Sequence, residues 1–145
     1  MPMNSIPASV LVIEAHPMML EALCTAIADE PELKVGMQAG NVTQALQIAT
    51  MIIPDIILLA LDHSDDSDMD ALTILHKSIP TVPILALTSN EAPGQEQAAL
   101  EHGAQAVLTK AAPRAELIHA LRALRAKPMM NYPDFNVEKD AGEKL

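Results

Sequence analysis

Short apolar runs alternate along this chain with longer stretches whose apolar residues recur every three to four positions. Consecutive strands separated by helix-length stripes cannot close as tight hairpins, because each helix returns the chain to the edge where the previous strand began. The order therefore predicts βαβ units, a parallel sheet and helices on both of its faces. Residues 9–13, almost wholly apolar, read as a strand buried on both sides. Pro17 suits the first turn of a helix, where its missing N–H costs nothing. Met19, Leu20, Leu23 and Ile27 then recur at helical spacing until Pro31 stops the pattern.

Residues 33–39 predict a second strand, with Leu33, Val35 and Met37 turned inward. Asn41 and Gln44 stand at the spacing of a capping box, and Val42, Ala45, Leu46 and Ala49 continue the stripe behind it. Residues 56–61 are the most apolar segment and the best candidate for the central strand. A polar stretch follows, then a short helix over 69–78 carrying Leu72 and Leu75. Residues 84–87 and 106–108 predict two more strands, separated by a helix over 95–101 that ends at Gly103, where a left-handed residue is needed. Pro113 opens the last helix, with Leu117, Ile118, Leu121 and Leu124 in its apolar stripe. Residues 8–127 form one domain in this reading. Residues 128–145 lose the apolar period and read as a linker or tail.

Composition removes several function classes. The net charge is −10 and no basic stripe runs along the chain, so direct nucleic-acid binding by this segment is not expected. Trp is absent, and Tyr132 and Phe135 are the only Tyr and Phe, which leaves no aromatic platform for stacking bases. The single cysteine, Cys24, allows no internal disulfide and no multi-thiolate metal site. It sits in the first helical stripe and reads as a small buried hydrophobe, with no neighbouring base or cation to activate it. His63, His76, His102 and His119 show no metal-ligand spacing. No apolar run is long enough to span a bilayer, and the first residues lack the basic start of a signal peptide, so a cytoplasmic location is expected.

In a doubly wound sheet, ligands meet the carboxyl ends of the strands. Those ends carry Val10-Leu-Val-Ile-Glu-Ala-His-Pro17, Pro54-Asp-Ile-Ile-Leu-Leu-Ala60, Leu85-Ala-Leu-Thr-Ser89 and Gly103-Ala-Gln-Ala-Val-Leu-Thr-Lys110. Together and in this order they resemble the receiver domain of two-component response regulators. His16-Pro17, Gly103-Ala104 and Pro113-Arg-Ala-Glu-Leu117 look like the branch that carries a LuxR-type helix-turn-helix after the receiver. The resemblance implies a flavodoxin-like fold of five strands and five helices, with strand order 2-1-3-4-5. It also implies signalling-protein partners, a role in transcription regulation and frequent homodimers.

The same resemblance places the family's functional positions. An ordinary receiver accepts a phosphoryl group on an aspartate at the end of strand three. That aspartate and two acidic residues after strand one hold Mg²⁺. In this chain the phosphoacceptor position falls on Ala60 and the acidic pair on Glu14 and Ala15. The phosphoryl-binding hydroxyl and lysine match as Thr88 and Lys110, and the aromatic switch position falls on Val107. The expectation is a degenerate receiver: no acyl phosphate at Ala60, no Mg²⁺ or other cofactor, no catalysis, and Lys110 paired with Glu14 in a vestigial pocket.

Other readings are open at this point. Asp62 lies two residues past Ala60 and could accept phosphate instead. Asp66, Asp68 and Asp70 resemble the start of a calcium loop, but Ala71 stands at the turn-glycine position and Lys77 at the final ligand position. The alanines could open the pocket to a small molecule. A flavodoxin-like hydrolase or transferase lacks support, since no Ser-His or Cys-His pairing and no Gly-rich phosphate loop is present. Finally, Arg114, Arg122 and Arg125, with Ile118 on the same helix, predict a basic docking face for the acidic body of a second copy.

Overall fold

The computed structural model describes residues 6–61, 66–89 and 94–126. The elements are β1 (Ala8–Ile13), α1 (Pro17–Ala28), β2 (Leu33–Ala39), α2 (Val42–Ala49) and β3 (Ile56–Ala60). They continue with α3 (Asp66–Ser78), β4 (Ile84–Thr88), α4 (Gln95–Glu101), β5 (Ala106–Thr109) and α5 (Arg114–Ala126). The sheet order is β2-β1-β3-β4-β5 and every neighbouring pair is parallel. This is the flavodoxin-like order that the resemblance implies, built on the parallel sheet that the alternation predicts. The expected tail, 128–145, and Asp62 lie outside the described residues.

The apolar runs of β1, β3 and β4 need cover on both sides, and the helices supply it. On one face, Val10, Val12, Leu58 and Leu85 pack with Leu23 and Ile27 of α1 and with Leu117, Ile118, Leu121 and Leu124 of α5. On the other, Leu11, Ile13, Ile57 and Leu59 pack with Ala45 of α2, Leu72 and Leu75 of α3 and Ala99 of α4. Residues two apart share a face, so each strand feeds both clusters.

Strand β2 corrects the sequence reading. Val10 pairs with Val35 but Leu11 pairs with Met37, so the register skips Gly36. One extra residue on one strand turns the following side chains to the opposite face. Leu33 and Val35 therefore join the α1–α5 side, while Met37 and Ala39 join the other. The three inward residues do not share a face.

Helix α3 begins at Asp66, earlier than the first apolar residue suggests. Asp68 and Asp70 thus fall in its opening turns, where acidic side chains complement the helix dipole. A helix turns about 100° per residue, so residues two apart diverge, unlike the ligands of a calcium loop. The α2 cap forms as expected: Gln44 N–H donates to Asn41 Oδ1 at 2.9 Å, and Gly40 N–H donates to Gln44 Oε1 at 2.8 Å. Gly103 has φ +123°, and a Cβ there would meet the His76 side chain at 2.7 Å.

Candidate functional site

The chain reverses direction across the sheet between β1 and β3, which opens a crevice at their carboxyl ends. Glu14 follows β1, Ala60 ends β3, Thr88 ends β4 and Lys110 follows β5. Parallel pairing brings these four ends to one edge. Three backbone bonds extend the ladder past the strands and fix the register there. Glu14 N–H donates to Ala39 O at 3.0 Å, Leu61 N–H to Leu87 O at 2.8 Å, and Lys110 N–H to Thr88 O at 2.8 Å.

Glu14 is the buried charge of the crevice, at 2% exposure. Its Oε2 accepts the His16 N–H at 2.9 Å, and His16 Nδ1 lies 3.0 Å from the same oxygen. A carboxylate only accepts, so the ring contact is a hydrogen bond when Nδ1 carries its proton. His16 occupies the N-cap position of α1, yet its side chain turns back to Glu14 and does not cap the helix. Lys110 Nζ stands 3.8 Å from Glu14 Oε1, an ion pair beyond hydrogen-bond length. Oε1 has no hydrogen-bond partner among the described residues. A carboxylate withdrawn from water needs such compensation, and here it comes from the His16 backbone N–H, from the His16 ring when Nδ1 is protonated, and from one ammonium.

The remaining positions are as the sequence places them, with different surroundings. Ala60 is buried at the end of β3 and carries only a methyl, while Ala15 is exposed. Thr88 is buried, and its Oγ1 lies 3.5 Å from Leu108 O, at the outer limit for a hydrogen bond. Val107 is half-buried against the α2–α3–α4 cluster. The edge therefore carries Glu14, Thr88 and Lys110 at strand ends flanking Ala60, and Glu96 shares a surface pocket with Thr88. The bond from His16 to Glu14 was not legible beforehand, although His16 follows Glu14 by only two residues.

The α5 arginines do not face outward as a free basic surface. Arg114 donates to Asp29 Oδ2 at 2.5 Å, and Arg122 to Glu30 Oε1 at 2.6 Å and Glu32 Oε1 at 3.1 Å. Arg125 donates to Glu32 O at 2.9 Å and to Ile6 O. All three bind the turn between α1 and β2 of their own chain. Ile118 is 4% exposed and belongs to the core. The expected docking role of Ile118 fails because α5 lies on the same face as α1, with Ile118 turned to the sheet. Glu30 and Glu32 around Pro31 were the available sequence signal.

One protein family, the response regulator receiver domain, has a model that matches residues 10–122. The chain belongs to that family. Among its curated relatives, this receiver domain is 29% identical over 117 residues to the nitrate/nitrite response regulator protein NarP of Escherichia coli, covering 81% of this chain and 54% of NarP. It is 28% identical over 127 residues to NarL of the same species, covering 88% of this chain and 59% of NarL. The receiver thus spans a little over half the length of these relatives. Solved structures share the fold. A LuxR-family two-component response regulator from Aurantimonas superposes with TM-score 0.75 at 24% identity, over 83% of this chain and 86% of that one. The response regulator domain of Thermotoga maritima CheB superposes with TM-score 0.71 at 24% identity, over 85% and 100%. No helix among the described residues is long and apolar enough to cross a membrane.

Proposed function

We propose that this receiver is a degenerate one: a non-catalytic interaction module whose state is not set by phosphoryl transfer to the end of β3. The observation that carries the reading is Ala60 in the crevice, a methyl where an acyl phosphate would need a carboxylate oxygen. Mg²⁺ is a hard ion that favours carboxylate and water oxygens in octahedral array. Glu14 is the buried carboxylate at this edge, with Oε2 engaged by His16 and Oε1 facing the Lys110 ammonium. Among the described residues no group of three His, Cys, Asp or Glu is placed to hold a metal ion. The residues do not fit Mg²⁺ in this reading. Lys110 supplies Glu14 with the positive charge a metal would bring, and the pocket is vestigial.

Phosphoryl transfer depends almost entirely on positioning and metal electrostatics. Loss of both acceptor and metal removes the reaction and does not merely slow it. The domain then signals through contacts with partner proteins, as the regulatory part of a transcriptional regulator. The transcriptional regulatory protein MctR of Rhizobium johnstonii, 23% identical over 115 residues, supports that setting. A homodimer through α5 is part of the proposal. Its contact surface would be the exposed Ala115, Glu116, His119 and Ala123, because the arginines are bound within the chain.

The test is incubation with acetyl phosphate and Mg²⁺, followed by intact-mass and peptide analysis. The expected result is no phosphoryl adduct. A stoichiometric adduct on Asp62 would overturn the reading and show that the following loop has taken over as acceptor.

A further inference from the structure

At the amino ends of β1, β3 and β4, opposite the crevice, lies an open groove of about 600 Å³. Pro7, Pro54 and Pro83 lead into the three strands and line it, together with Ile53, Leu124 and Arg125. Proline has no N–H, so its ring presents only apolar surface. Three of the nearby donors are already used. Ala8 N–H donates to Glu32 O, Asp55 N–H to Ser9 O and Ser9 N–H to Asp55 Oδ2. An occupant would strand none of these three, and Asp55, Thr81 and Arg125 add polar groups to the lining that can meet the occupant's own backbone. Ile6 is 73% exposed and Ile53 65%, and Met51 and Ile52 beside Ile53 are also exposed. Four large apolar side chains facing water at one end of a domain mark a docking surface.

We propose that residues 129–135 of this same chain occupy the groove. The helix α5 ends on its wall: Leu124 and Arg125 line the groove, and Ala126 is the last described residue. An extended chain advances at most about 3.6 Å per residue, so Met129 starts within reach of Leu124 and Phe135 can span the groove. Met129, Met130, Tyr132 and Phe135 make this the apolar part of the segment and hold both non-histidine aromatics of the protein. Pro128 and Pro133 reduce the conformational freedom the segment must lose. A tether this short holds its segment at an effective concentration of about millimolar, which favours the chain's own residues over a second copy.

Tyr132 is the sole tyrosine and Trp is absent, so tyrosine emission of the full chain reports this segment alone. The experiment is acrylamide quenching of that emission, with N-acetyltyrosinamide as the free reference. The expected result is a quenching constant several-fold below the reference, rising to the reference in Ile53→Asp while the far-ultraviolet circular dichroism is unchanged. Ile53 is exposed, and Ile6→Asp serves as the second groove variant if Ile53→Asp does not fold. Quenching at the reference value in the unmodified chain would overturn the proposal. Protection that survives both groove variants would also overturn it, placing the segment elsewhere. Protection lost on hundredfold dilution would overturn it in favour of a second copy as the occupant.

Discussion

A Cβ on Gly36 would lie 2.0 Å from Ser9 Oγ and 3.3 Å from Ser9 Cβ. The two residues meet where the β1–β2 register skips a position, and that skip divides β2 between the two core clusters. Gly36→Ala therefore has to displace Ser9 or the bulge itself. The expected cost is about 1–3 kcal/mol of stability, the range for over-packing a tight site. Ser9→Ala removes the 2.0 Å contact and leaves the 3.3 Å one. The double variant should recover much of the loss, a coupling that urea denaturation reads directly. Equal losses in the presence and absence of the Ser9 hydroxyl would place the strain elsewhere.

Lys110→Met leaves Glu14 buried without its cation. The pair is 3.8 Å long and Lys110 keeps part of its side chain in water. The expected destabilisation is therefore about 1–3 kcal/mol, below the roughly 3–5 kcal/mol of breaking a fully buried pair. Adding Glu14→Gln removes the stranded charge, and the double variant should be more stable than Lys110→Met alone. Denaturant midpoints at neutral pH decide the order of the three proteins.

Ala15→Asp with Ala60→Asp would place two carboxylates beside Glu14 at the carboxyl ends of β1 and β3. If the crevice keeps its shape, the double variant should gain stability with added Mg²⁺ as ligand binding shifts the folding equilibrium. The unmodified chain should show no such shift in the same thermal scan. A double variant that also ignores Mg²⁺ would mean that the surrounding loops, and not only these two side chains, depart from a metal-binding arrangement.

Most of the fold was legible because periodicity reports burial directly. The wholly apolar stretches within 9–13, 56–61 and 84–87 became β1, β3 and β4, with cover on both faces. Asn41 and Gln44 marked the start of α2 because capping is local chemistry. The faces of β2 were misread because strict alternation assumes a regular strand, and Gly36 breaks it. The start of α3 was placed late because its first turns are acidic and carry no apolar stripe. At the crevice, strand ends brought Glu14 and Lys110 together as expected. The arginines of α5 were aimed outward because their partners, Asp29, Glu30 and Glu32, lie more than eighty positions away. The groove beneath the sheet had no sequence signature, since its prolines converge only after three strands align.

Cys24 offers a test of burial by pH. Burial raises its thiol pKa above the ordinary 9.0, because the α1 stripe packs the sulfur against the α1–α5 core and disfavours the thiolate. The thiolate is the reactive form, so modification by a disulfide reagent at pH 8 should be slower in the folded chain than in urea. The linkage has a definite sign. The folded state holds the thiol proton more tightly than the unfolded state, so above pH 9 the unfolded chain loses that proton first. Stability should then fall as pH rises, until the folded thiol also titrates. Cys24→Ala abolishes this contribution while leaving other alkaline titrations in place. Unfolding curves at stepped pH above 9 should therefore fall less steeply for Cys24→Ala. Parallel curves, with equal thiol reactivity in folded and unfolded chains, would show that the sulfur is freely solvated.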